Sequence, residues 1–109
     1  MIKLSKSDLS YRFEKHKKWI CSLGKEGKRL NLDEVDLSEG CVEKEFYEQA
    51  YITECTFDDR NIENISFYLS KLCSSSFKRC NLKKVDFTKA DLSYVDFTNS
   101  ILCSVNFNK

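Results

Sequence analysis

From Leu32 to Phe107 every fifth residue is apolar or aromatic, sixteen positions in phase without a slip. A helix returns to its buried face about every 3.6 residues and a strand every 2, so neither accounts for a step of five. Fixed-period self-similarity of this kind predicts a solenoid, in which each repeat buries its inward face by stacking on its neighbours. The residue two places before each centre is mostly small or β-branched, as in Val85, Ala90, Val95 and Ser100. These form a second inward position in a narrow interior. From Phe57 onward the centres alternate between Phe and an aliphatic residue. A coil of fifteen residues would stack Phe on Leu, whereas a coil of twenty stacks like on like. Its columns are Phe57, Phe77 and Phe97; Phe67, Phe87 and Phe107; Leu72 and Leu92; Leu82 and Leu102. The pattern therefore predicts a four-sided coil, and sixteen repeats make four coils over residues 30–109.

Upstream, residues 1–29 predict a helix. Ser7 suits the N-cap, Asp8 the first turn, and Gly24 a C-terminal stop. At 100° per residue Leu9, Phe13, His16, Ile20 and Leu23 share one face with Trp19 at its edge. The expected role of Leu9, Phe13, His16, Trp19 and Ile20 is to cap the first coil, His16 being structural. A basic amphipathic helix for a membrane or nucleic acid is the competing reading. No capping segment follows Phe107 in the sequence. Leu92, Phe97, Ile101, Leu102 and Phe107 are thus expected to form an apolar end for a second copy or another partner.

The segments "CNLKK", "VDFTK", "ADLSY", "VDFTN" and "VNFNK" resemble the pentapeptide-repeat family. The leader "HKKWICSLGKEGKRLNL" is similar to those of many members. The resemblance implies an all-β solenoid, a right-handed quadrilateral β-helix, here with an N-terminal α-helical cap forming a single domain with the repeats. It implies no fixed function, since the family's roles vary. Some members dimerise through their C-terminal coils. Others mimic DNA and modulate DNA gyrase, and some bacterial members act as effectors or adaptors delivered to host cells.

The formal net charge of +1 hides zoning. Residues 1–29 carry nine basic and three acidic groups, residues 30–69 two and eleven, and residues 70–109 seven and three. The acidic stretch includes Glu34, Glu39, Glu54, Asp58, Asp59 and Glu63; the basic one includes Lys78, Arg79, Lys83, Lys84 and Lys89. This reads either as solvated surface or as a docking surface with built-in polarity. A DNA mimic should instead be negative along its whole length. Phe46, Tyr68 and Leu69 break the polar rule outside and suggest a wall patch. Glu45 and Arg60 break the apolar rule inside and suggest an inward ion pair, or a local bulge that lets both reach water.

Six cysteines form no C-x-x-C pair, and the only histidine is His16. With no signal sequence or apolar spanning run, the expectation is a cytoplasmic chain with reduced, structural thiols. No metal, cofactor or catalytic residue is expected: Asp and Ser recur because the repeat uses them, and no nucleophile–base constellation appears. The reading is a non-enzymatic scaffold that binds a protein partner by its walls or its C-terminal end and dimerises there, without direct nucleic-acid or membrane binding. The alternatives are the gyrase-modulating DNA mimic and the effector or adaptor.

Overall fold

The computed structural model describes residues 1–39 and 47–109. Helix α1 (Lys6–Cys21) is followed by five three-residue strands: β1 (Asn31–Asp33), β2 (Tyr51–Thr53), β3 (Asn61–Glu63), β4 (Asn81–Lys83) and β5 (Ile101–Cys103). Each strand through β4 buries its central residue between two less buried ones. All pairings are parallel, with β1 on β2 and β3–β4–β5 in line. The register step is constant: Leu32 pairs with Ile52, Ile62 with Leu82, and Leu82 with Leu102. Isolated bridges such as Ser66–Asp86, Lys71–Asp91 and Ser76–Asp96 repeat the same step of twenty. The chain is a β-helix solenoid whose ladders join successive turns.

Its interior is a filled stack. Phe57, Phe67, Phe77 and Phe87 are at most 1 % exposed, and Leu72 and Leu82 are fully buried. Rings one register step apart lie nearly parallel: Phe57 on Phe77 at 4.6 Å, Phe67 on Phe87 at 5.2 Å, Phe77 on Phe97 at 5.5 Å, and Phe87 on Phe107 at 5.4 Å. Between these columns the rings meet edge to face at about 6 Å, as for Phe67 and Phe77. Both geometries suit the aromatic quadrupole, at roughly 0.5–1.5 kcal/mol per pair beyond area burial.

Corner formation needs neither proline nor glycine here. Glu34 and each fifth residue from Gln49 to Ser104 adopt left-handed backbone, with φ between 53 and 64°. The residue three places earlier often closes the same corner from its side chain. Asp86 Oδ1 accepts the amide of Thr88, Asp91 that of Ser93, Asp96 that of Thr98, and Thr56 Oγ1 that of Asp58. These are the Asx- and Ser/Thr-turns that Asp and Thr favour, which is why the repeat is rich in them.

The second inward position staples the coils. The Ser70 hydroxyl donates to the Tyr47 carbonyl at 2.7 Å and the Ser75 hydroxyl to Ile52 at 2.8 Å; Ser100 does the same to Phe77. Ser75 Oγ also accepts from the Cys55 amide. Cys80 Sγ donates to the Phe57 carbonyl at 3.1 Å, taking the serine's place. Arg60 is only 8 % exposed and uses Nη1 in the same way, donating to Leu37 at 3.2 Å. Its suggested partner Glu45 lies outside the described residues, as does Phe46.

Helix α1 departs from the sequence reading at both ends. The N-cap is Ser5, not Ser7: its side chain accepts the Asp8 amide. This starts the helix at Lys6 and leaves Ser7 inside the first turn. The helix ends at Cys21, where Leu23 takes φ 57° and Gly24 donates back to the Trp19 carbonyl at 2.8 Å. That closure has the 6→1 bond of a Schellman motif, with Leu23 in the left-handed position. Leu23 is accordingly 90 % exposed and off the apolar face. Gly27 closes the following loop against the helix; a Cβ there would lie 2.2 Å from the Lys15 carbonyl oxygen.

Candidate interaction surface

Phe13 and His16 of α1 are buried, while Leu9, Trp19 and Ile20 are half-buried. Phe13 meets Tyr47 edge to face at 5.2 Å. His16 is clasped from two sides: Nδ1 accepts the Leu30 amide at 2.9 Å, and Nε2 lies 2.7 Å from the Glu48 carbonyl. The first contact requires a bare Nδ1, so the ring proton sits on Nε2 and donates to Glu48. Burial pushes the His16 pKa below its ordinary value, aided by Arg29 and opposed by the Glu48 bond. Ile2, ahead of the helix, adds a parallel bridge to Val35. Nothing in the apolar spacing foretold that contact.

The walls carry charges sorted by the register. Arg79 forks onto Asp59 at 2.6 and 3.0 Å, and Lys83 lies 4.0 Å from Glu63. Lys78 reaches Asp96 at 3.8 Å, and its amide donates to Asp58. The acidic and basic stretches are thus partly interlocked across the coils. Asp59 is held below the usual carboxylate range by Arg79; Asp91 and Asp96 are held there first by the hydroxyls of Ser93 and Thr98. Of the suggested wall patch, Tyr68 is half-buried and Leu69 is 42 % exposed.

The last coil leaves several apolar side chains exposed together. Ile101, Leu102 and Phe107 are 65, 44 and 42 % exposed, and Leu92 and Phe97 are half-buried. One step below, Leu82 and Phe87 are almost fully enclosed. Within the solenoid the Leu72 amide donates to Asp91 and the Phe77 amide to Asp96. The corresponding amides of Leu92 and Phe97 find no backbone acceptor among the described residues.

The pentapeptide-repeat family model matches eight copies, over residues 65–102 and 80–109. Residues 65–109 are thus similar to pentapeptide repeats. No curated protein matches the chain in sequence. The same register step continues N-terminal to the matched residues, through β1 and β2. Among the described residues no group of three or more His, Cys, Asp or Glu side chains could hold a metal ion, and no helix is long and apolar enough to cross a membrane. The described thiols are all free, and burial raises those of Cys55, to about 11, Cys73 and Cys80.

Proposed function

We propose that the whole chain is a pentapeptide-repeat protein and that it serves as a non-enzymatic interaction scaffold. In this reading residues 30–109 form a right-handed quadrilateral β-helix of four coils, and residues 1–29 cap it to complete one domain. The surface that engages a partner is the last coil, and the occupant is a second copy of this chain. The observation that carries this is the exposure of Ile101, Leu102 and Phe107 beside backbone amides without acceptors. An apolar patch and an unfilled ladder on one edge suit another strand edge. Charge favours self-association too: residues 90–109 hold only Asp91, Asp96 and Lys109, so two such ends repel each other little. The DNA-mimic reading is weaker, because Arg79 and Lys83 sit against the carboxylates such a mimic would present.

Light scattering across protein concentration tests the proposal. A dimer is expected that persists in salt and becomes monomeric in Ile101→Glu or Phe107→Lys, with unchanged circular dichroism. A monomer throughout the micromolar range, or a dimer indifferent to both substitutions, overturns it.

A further inference from the structure

Between α1 and the start of the first coil lies a cleft of about 370 Å³. Arg12, Lys15, Lys28 and Arg29 line it, with Tyr11 and a single carboxylate, Asp8. Asp8 is 3.4 Å from Arg12. Lys15, Lys28 and Arg29 have no ion-pair partner among the described residues, unlike Lys78, Arg79 and Lys83 on the solenoid walls. Arg29 is fixed between two rings, its guanidinium 4.2 Å from the Trp19 centroid and 4.5 Å from that of Tyr51. That sandwich holds a cation in place at the cost of its hydration, and Arg29 Nε is buried with no hydrogen-bond partner among the described residues. The bond from the Lys28 amide to the Lys15 carbonyl holds helix and loop together, which keeps the bases of these side chains side by side.

We infer that this cleft binds a small phosphate-bearing anion. Four cations against one carboxylate suit an anion of two or more charges, and guanidinium groups match phosphate oxygens through paired donors. The volume is at the lower end of small-molecule sites. Tyr11, 62 % exposed with the Lys15 ammonium 5.5 Å from its ring centroid, gives the rim an aromatic face. The shared chemistry is a di- or triphosphate, either free or carried by a nucleotide. The site is independent of the last coil and of any dimer formed there.

The experiment is an amide NMR titration at constant ionic strength with pyrophosphate, ATP and adenosine. Saturable shifts with pyrophosphate and ATP are expected around residues 11–15 and 28–31, with none from adenosine. Affinity should fall at least about tenfold in Arg12→Ala/Lys28→Ala, which loses two charge-assisted contacts, and stay unchanged in Lys83→Ala/Lys84→Ala. Tighter binding of ATP that is lost in Tyr11→Ala identifies a nucleotide as the source. Equal affinity for ATP and pyrophosphate identifies the polyphosphate alone. Failure to saturate at millimolar pyrophosphate overturns the inference, and so does equal weakening by the two double variants.

Discussion

His16 is the residue on which helix and solenoid meet, and its two bonds demand one tautomer. Protonating Nδ1 would turn the Leu30 amide from a donor onto a lone pair into a donor facing a donor. Its folded pKa is therefore below the ordinary value of 6.5, with burial as the main cause. A depressed base binds its proton more readily in the unfolded chain. Stability should thus be full above about pH 6.5 and fall as pH drops from there to the lowered folded value, at most about 1.4 kcal/mol per pH unit. Arg29 is the charged neighbour pushing in the same direction, and Glu48 contributes its backbone carbonyl to the ring. Asp36, Asp91 and Asp96, whose pKa values are also lowered, lose their contribution only below their ordinary value of 3.8. Urea midpoints at pH 8, 6.5 and 5 check this: the decline should vanish in His16→Asn, and a flat wild-type profile would remove His16 as its source. Periodicity shows the helix face that carries Phe13 and His16. It does not show the partners, because Leu30 and Glu48 are fourteen and thirty-two residues away.

At the scale of the five-residue element, the inward positions are legible and the corner is not. A centre must be large and apolar, so its identity survives in the sequence. The left-handed residue two places on is Glu, Gln, Asp, Asn, Leu, Ser, Arg, Lys or Tyr, a set with no chemical theme. The corner's geometry comes from the ladder on either side and from the preceding Asx- or Ser/Thr-turn, so this position tolerates many side chains at a backbone cost. The serine staples are hidden for a related reason: Ser70 and Ser75 read simply as small residues until the register brings a carbonyl of the preceding coil to each. Ser74, exposed with φ 60°, isolates the corner cost. Ser74→Gly removes the Cβ that disfavours this conformation and should be neutral to about 1 kcal/mol more stable. Ser74→Val puts a β-branched side chain there and should cost about 1–3 kcal/mol. Equal stabilities in urea would mean that the corner is held without strain.

For the whole molecule, one register step organises core, walls and ends together. The step that stacks Phe57 on Phe77 also brings Arg79 to Asp59 and Lys83 to Glu63. Charge zones separated along the chain therefore become neighbours in space. A solenoid's stability is approximately a sum over nearest-neighbour interfaces, so a coil with a neighbour on one side only should open before the others. The amides of Phe57 and Phe67 donate to carbonyls of the next coil from fully buried residues, and should exchange near the global unfolding limit. Those of Asp96, Ile101 and Asn106 bond back to Ser75, Cys80 and Val85 from the partly exposed last coil. They should exchange orders of magnitude faster in a monomer, since each ~1.4 kcal/mol less protection is a factor of ten. If a second copy covers that coil, the difference must shrink as protein concentration rises, because association stabilises by mass action. Hydrogen exchange at two concentrations a hundredfold apart separates the cases. Protection rising with concentration only at residues 90–109 locates the dimer contact on the last coil. A steep gradient unchanged by concentration leaves the solenoid's nearest-neighbour energetics intact and removes the dimer.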